Sequence, residues 1–458
     1  MNLIYDVEDK PKFGRLVVFA IQQLLAIMAA TLVVPVIINS NAGLEGADAM
    51  STAAALFGAG VGTIVYLLFT KFKSPVFLGS SFAFIGSMTA AFAGAASVAV
   101  GYLGLLLGAI FAGLVYVVIA IVVKLVGVNW INKLMPAVVI GPTVAIIGLS
   151  LAGNAVGDLQ VANAGGSTLI AVLCGLITLI VTMLCSTYGK QTLKLIPFII
   201  GILAGYAVAA IFTAIGYAAG VDALKITNFA PITALVANGV NFNTFITLPK
   251  FTFITALGGF SEISGAYIGT VAISYIPVAL VVFAEHIADH KNISSIIGRD
   301  LLSEPGLSRT LLGDGIGSMA GALFGGCPNT TYGESVACVA ITRNASVRTI
   351  LAAAVGAIII SFIAPFVAFV NSIPSCVMGG VCMALYGFIA VSGLKMVQKV
   401  DLNENRNLFV VSAILIAGIG GLSLTFGKIT LTTVACALIL GIIVNLILSK
   451  EKVETEAK

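Results

Sequence analysis

The chain has 458 residues, of which 59% are hydrophobic and only 9% are charged, and its mean hydropathy is +1.12. Soluble domains carry about 25% charged residues, so this composition excludes an ordinary soluble protein and indicates a membrane protein with many spans. The formal net charge of +4 comes from lysines and arginines in the loops and gives no reason to expect a nucleic-acid partner. The seven cysteines lack CxxC spacing, so neither a disulfide framework nor a cysteine metal site is expected.

Fourteen segments contain close to the roughly 20 apolar residues that a bilayer span requires. The first segment directly follows an N-terminus of mixed charge, so we expect no cleavable signal peptide. The third and tenth segments are short and interrupted by polar residues. In chain order the predicted spans are 14–38, 51–70, 75–95, 98–124, 135–153, 167–186, 193–216, 265–289, 309–326, 329–342, 347–371, 374–394, 406–424 and 429–449.

The charges of the loops orient these spans. If the N-terminus is cytoplasmic, only Lys225, Lys250 and Lys428 of the 23 lysines and arginines lie outside. Removing the tenth span would move Arg343 and Arg348 outside and reverse every later span. We therefore predict an all-α protein of the cytoplasmic membrane, with fourteen spans and both termini in the cytoplasm. Each half has seven spans, so the second half must be inverted relative to the first, as in many secondary transporters.

The interruption in the tenth span predicts a binding site. Residues Cys327–Arg343 read CPNTTYGESVACVAITR, and Glu334 has no cation near it in the chain before Arg343. Irregular backbone survives at membrane depth only beside protein or a water-filled cavity, and an acid there is typical of a transport site. Residues 74–85, SPVFLGSSFAFI, repeat this pattern in the first half. We interpret the two stretches as opposite walls of one substrate site.

The eighth span ends in a second group of ionisable residues, in the sequence VVFAEHIADHKN. Glu285 and Asp289 are four residues apart and share a helix face, and His286 and His290 share the adjacent face. Glu285 is assigned to the central site, Asp289 and His286 to a proton path, and His290 is expected to be a solvated residue at the helix end. A metal site on the two histidines is an alternative, but no HExxH motif is present, so we expect neither a metal nor another cofactor.

The residues around Glu334 indicate the shape of the ligand. Gly333 allows the backbone to approach a ligand, and Tyr332 offers a ring face to a planar one. In the third span, Ser81 and Phe82 follow a glycine and a serine in the same small-then-aromatic order. Two acids, two stretches of free backbone and aromatic rings suit a small, flat, polar and uncharged ligand. No Ser–His or His–metal arrangement suggests an enzyme.

With these residues in view, the sequence resembles the nucleobase–ascorbate transporter family, and most closely its bacterial uracil:proton symporters. The likeness covers nearly the whole chain. Its blocks are GSSFAFI (79–85), AEH (284–286), DLLSEPGLSRTLLGDG (300–315), PNTTYGE (328–334), AITR (340–343) and LYGFIAVSG (385–393). The resemblance implies import of uracil by proton symport, through movement of a core domain against a gate domain. It leaves a homodimer open.

The resemblance also implies a division of the chain and roles for individual residues. Short antiparallel strands in spans 3 and 10 would cross at the site. Glu285 and Glu334 would bind uracil, the amides of Phe82 and Gly333 would face its carbonyl oxygens, Tyr332 would pack on its ring, and Tyr386 would approach it from the gate. The implied segments are core 1–128, gate 129–220, an external connector 221–262, core 263–371, and gate 372–458 with the cytoplasmic tail.

Several positions depart from the family pattern. Asp289 stands where the uracil symporters have histidine, and the first-span Gln-His pair is Gln22-Gln23. Ser335 and Ala337 replace the usual Asn and Gly after the second glutamate. These departures leave the binding acids in place. A purine permease for xanthine or urate, and a sodium-coupled symporter using Asn329, Thr330 and Thr331, remain alternatives.

Overall fold

The computed structural model describes residues 3–127, 130, 134–162, 165–190, 193–194, 196–237, 239–426 and 429–449. The C-terminal tail after Ser449 and the predicted loop residues Lys133 and Lys428 lie outside the described residues. The main helices are α1 Phe13–Ala42, α2 Thr52–Phe69, α3 Ile85–Ala93, α4 Val98–Val126, α5 Ala137–Ser150, α6 Ala152–Leu159, α7 Thr168–Tyr188, α8 Pro197–Ala219, α9 Ala230–Ala234, α10 Phe242–Phe245, α11 Thr252–Ala256, α12 Gly265–Ile297, α13 Leu307–Gly325, α14 Gly333–Thr342, α15 Val347–Ile360, α16 Ala364–Asn371, α17 Ser375–Val397, α18 Asn405–Ile419 and α19 Thr433–Leu448.

Eight helical stretches of the described chain are long and apolar enough to cross a membrane. Each of the fourteen segments predicted from the sequence contains a helix, and the third and tenth combine a short helix with a strand. The eleventh segment is divided into α15 and α16, because the backbone leaves the helix at Ser361 to Ile363. The fold is therefore helical, as the composition predicted.

Two short strands cross where the sequence placed its two interruptions. Strand β1, Leu78–Ser80, pairs antiparallel with β2, Asn329–Thr331, and Gly79 lies opposite Thr330. The pairing extends at both ends, since the Ser81 amide donates to the Pro328 carbonyl (2.9 Å) and the Tyr332 amide to that of Phe77 (3.1 Å). This confirms the implied strands. A second antiparallel pair, β3 Leu424–Phe426 and β4 Ile429–Leu431, was not predicted and joins α18 to α19.

Glycines bring the helices of the core into backbone contact. A Cβ on Gly58 of α2 would collide with the carbonyl of Gly321 on α13, and one on Gly317 would lie 2.7 Å from the Gly62 carbonyl oxygen. Gly58 and Gly62 therefore lie on a packing face of α2. Helices α2, α4, α12 and α13 pack together, and α5, α7, α17 and α18 form a second packed group. The finer division into core and gate domains stays a prediction.

Candidate functional site

A cavity of about 380 Å³ lies between the two packed groups of helices. On one side it is lined by Glu285 and Asp289 of α12 and by Gly333 and Glu334 of α14. The facing side is formed by residues from the second group, from the chain ahead of α8 and from the start of α8, namely Val144, Ser186, Lys194, Pro197, Phe198, Phe388, Ile389, Ser392 and Met396. We call this space the acidic cavity. It brings together four of the residues that the sequence singled out.

The three carboxyl groups of the acidic cavity differ in their partners. Glu285 and Glu334 are half-buried, and neither has a hydrogen bond or ion pair with another described residue. Asp289 is held, because the hydroxyl of Thr331 on β2 donates to its Oδ2 at 2.8 Å. An ionised carboxyl accepts hydrogen bonds only, whereas a protonated one can also donate. The two glutamates are therefore free to meet both donors and acceptors on a ligand.

The N-terminus of α14 adds backbone donors to this cavity. Tyr332 is extended (φ −105°, ψ 122°) and α14 begins at Gly333, so the first amides of the helix have no carbonyl of a preceding turn to bind. The nearest atom that a Cβ on Gly333 would meet is Asp289 Oδ1, at 3.7 Å. The packing of the protein therefore does not require a glycine at this position. The space beside Gly333 is left open to a ligand.

The other predicted ligand residues lie beside the acidic cavity and do not line it. Tyr332 is 3% exposed, its hydroxyl donates to the Ser80 carbonyl (2.8 Å), and its ring lies against Gly79. Ser81 and Tyr386 are buried; the Ser81 hydroxyl has no hydrogen-bond partner among the described residues, whereas the Tyr386 hydroxyl is hydrogen-bonded to the Cys382 side chain. None of these three residues therefore contacts the acidic cavity in this structure.

Phe82 lies at a second cavity and contacts Tyr386 of α17. Its ring meets that of Tyr386 edge to face, with centroids 5.7 Å apart. Phe82 lines the second cavity, of about 260 Å³, together with Asn41, Thr89, Ser150 and residues 432–434. Along α1 the acidic cavity contacts Ala26 and the second cavity contacts Asn41, which are roughly 22 Å apart at 1.5 Å per residue. The two cavities thus lie at different depths along the same helices.

The histidines of α12 face into the core, and the prediction for His290 was wrong. His290 is fully buried, and its Nε2 lies 2.7 Å from the hydroxyl of Tyr66, which also donates to Ser74. The sequence ended the eighth span at residue 289, whereas α12 continues to Ile297, so His290 is not at a helix end.

His286 is equally buried, and its partner is an acid that the sequence analysis overlooked. Its Nδ1 lies 2.7 Å from Asp314 Oδ2, and its Nε2 lies 3.0 Å from the Thr310 hydroxyl. Asp314 is 1% exposed. The signal was present, since Asp314 lies inside an apolar segment of the predicted ninth span. The role of His286 in proton transfer stays a prediction.

Two of the departures from the family pattern contact each other. Gln23 Nε2 donates to Ser335 Oγ at 2.5 Å, and this oxygen also accepts from the Phe77 amide at 3.0 Å. The pair links α1, the start of β1 and the first turn of α14. A change at position 335 is thus accommodated by the residue opposite it, and the pair supports the helix that carries Glu334.

Comparison with known proteins identifies the family. A family model described as "Permease family", Xan_ur_permease, matches residues 14–427. The chain belongs to this permease family. It is 37% identical over 448 residues to the uracil permease of Bacillus caldolyticus, covering 97% of this chain and 94% of that protein. It is 36% identical over 460 residues to the uracil permease of Bacillus subtilis strain 168, covering 98% and 96%.

A solved structure supports the fold of this permease. The transmembrane domain of a cyanobacterium bicarbonate transporter, BicA, superimposes with a TM-score of 0.60 at 16% identity, covering 96% of this chain and 100% of that one. The resemblance stated from the sequence is confirmed at the level of the family. The permease is a multi-pass membrane transporter and not an enzyme.

Proposed function

We propose that this permease imports uracil across the cytoplasmic membrane together with protons. The observation that carries the proposal is the meeting of Glu285, Glu334 and the Gly333 backbone in one cavity, in a chain similar over its length to uracil permeases. Uracil has two N–H donors and two carbonyl acceptors on one flat ring. Free carboxylates suit the donors, and backbone amides suit the carbonyls.

The position of the acidic cavity supports transport by alternating access. It lies between two packed groups of helices, and the second cavity lies at another depth of the same interface. In our proposal, residues 1–128 and 263–371 form a core that moves against a gate of residues 129–220 and 372–458. The Phe82–Tyr386 contact would then separate the substrate from the second cavity. Movement of one group of helices would exchange which side is open.

Proton coupling would use the carboxyl groups of α12. Protonated Glu285 can donate to a uracil carbonyl, and Asp289 lies one helical turn away in the same cavity, where it can pass a proton to water. A protonated carboxyl on entry and an ionised one on release would link uracil to the proton gradient. We further propose fourteen spans in two inverted repeats with both termini cytoplasmic, on the loop charges given above. Assembly as a homodimer stays a prediction.

Uptake by purified permease in proteoliposomes tests this function. We expect accumulation of labelled uracil under an inward proton gradient, unaffected when sodium is replaced by choline. Excess unlabelled uracil should compete, and excess xanthine or urate should not. Uptake of labelled xanthine or urate with none of labelled uracil would instead support the purine-permease alternative. Uptake that requires sodium would support the sodium-coupled alternative.

A further inference from the structure

Lys194 is the positively charged side chain of the acidic cavity. Among the described residues that line this space, it is the sole lysine or arginine, whereas three lining residues carry carboxyl groups. The acids belong to α12 and α14, and Lys194 lies on the facing side, ahead of α8. Lys194 is exposed, and it takes part in none of the ion pairs among the described residues. A cation without an ion-pair partner among the described residues therefore faces three acids across the cavity.

The other charged groups near Asp289 are directed elsewhere. Lys291 lines a neighbouring cavity of about 80 Å³ whose lining contains no acid. Other titratable groups next to this part of α12 are His286 paired with Asp314, His290 paired with Tyr66, and Tyr116 beside His286, all in the core, and Lys124, which is exposed in the last turn of α4. Lys194 is thus the described cation that would approach the acids if the cavity narrowed.

Asp289 is the acid best placed to meet this lysine. It lies one helical turn beyond Glu285, next to Asn292, toward the end of the cavity that is lined by Ser186 and Met396 from the last turns of α7 and α17. The Thr331 hydroxyl fixes its carboxyl from the core side. In the proposed function Glu285 and Glu334 hold the ligand, which leaves Asp289 as the acid that Lys194 can bind.

We propose that Lys194 is a latch, which binds the ionised carboxylate of Asp289 when the two groups of helices close over the acidic cavity. The inference rests on the proposed proton symport. When Asp289 holds a proton, the latch has no anion to bind, and the cavity opens. When the proton passes to water, the latch forms and favours closure. When Asp289 has released its proton, the permease therefore closes the acidic cavity and opens on the opposite side of the membrane. When Asp289 is protonated, the acidic cavity opens.

The test measures the opening of the cavity directly. A cysteine at Ser392, an exposed residue of the cavity wall on α17, reports opening through its rate of maleimide labelling in membrane vesicles. Each rate is divided by the rate for a small free thiol at the same pH, because the thiolate is the reactive form and its fraction rises with pH. With Lys194 present, we expect this corrected rate to fall about two- to fivefold from acidic to alkaline pH, the range of a modest ion pair. Lys194→Gln should remove this pH dependence, and Lys194→Arg should retain it. Lys291→Gln is the matched control and should behave as the parent protein.

The outcomes separate the latch from the proposed function. If the parent protein binds uracil and its labelling depends on pH, but Lys194→Gln leaves that dependence unchanged, the latch is refuted and uracil transport stands. If the parent protein fails to bind uracil, the proposed function is refuted, and the labelling still decides whether Lys194 closes the cavity. Equal loss of pH dependence in Lys291→Gln would also overturn the proposal, because the effect would then be one of general surface charge.

Discussion

Replacing Glu334 by glutamine tests the central claim about the site with little disturbance of the protein. Glu334 lies in the first turn of α14 and has no hydrogen bond or ion pair with another described residue. Glutamine has nearly the same shape, so the empty protein loses no hydrogen bond between this side chain and another described residue. The free energy of unfolding should therefore change little, and the effect should fall on the ligand.

The size of that effect follows from the hydrogen bond that is weakened. A ligand N–H that faces an amide in place of a carboxylate loses a charged acceptor, which costs about 1–3 kcal/mol. That range corresponds to a roughly 5- to 140-fold rise in the Kd for uracil, at 1.4 kcal/mol per tenfold. Isothermal titration calorimetry on the purified permease measures this Kd, and the melting temperature checks the fold.

A second variant controls for the loss of a negative charge alone. Glu45 is exposed and lies ahead of α2, far along the chain from the residues of the cavity, so Glu45→Gln should bind uracil as the parent does. If Glu334→Gln binds uracil with an unchanged Kd and melts at the parent temperature, Glu334 does not contact the ligand. The two-carboxylate site would then be wrong.

Four further predictions use other residues. Asp289→Asn should keep uracil binding and counterflow while slowing proton-driven uptake about tenfold or more. Uptake at the parent rate would mean that Asp289 has no role in proton coupling. Gly333→Val should melt normally, since the nearest atom to its Cβ is 3.7 Å away, yet lose uracil binding, whereas Gly79→Ala should melt early because its Cβ would collide with a tyrosine ring. His290→Ala should cost about 1 kcal/mol or more of stability in a denaturation curve, because the buried Tyr66 hydroxyl loses one of its two hydrogen-bond partners. A cysteine at Ser303 should resist labelling from outside intact cells, and efficient labelling would refute the fourteen-span topology.

The sequence predicted the interruptions of the fold because they break a strong pattern. Pro, Asn, Thr and Gly inside an apolar stretch cannot form a lipid-facing helix, and the structure has β1 and β2 at these places. Glu285 and Glu334 were equally easy to single out, because a carboxyl group is costly on a lipid-facing helix and is therefore expected to face protein or a cavity. Hydropathy was less informative about where a helix ends. It declines after residue 289, but α12 continues to Ile297.

What the sequence could not provide was which face of a helix is buried in protein. His290 resembles an interfacial residue in the chain, because Lys291 follows it and hydropathy falls there. Its burial depends on Tyr66, which is 224 residues away and brought near by the glycine contacts of α2. The contact between Gln23 and Ser335 is hidden for the same reason. In the sequence, Gln23 and Ser335 are two separate departures from the family pattern, and their contact becomes visible only in the folded protein.

The pairing of β1 with β2 also bears on how such a site can diverge. The amides of Ser81 and Tyr332 bind carbonyl groups of the opposite strand, so the starting points of the two following helices are set by main-chain atoms. Substitutions leave those atoms in place. Exchanges on the facing wall, at Phe388 or Ser392, can then alter which ring is accepted without moving the helix ends. Related permeases can therefore differ in ligand preference while they keep the same main-chain pairing of β1 with β2.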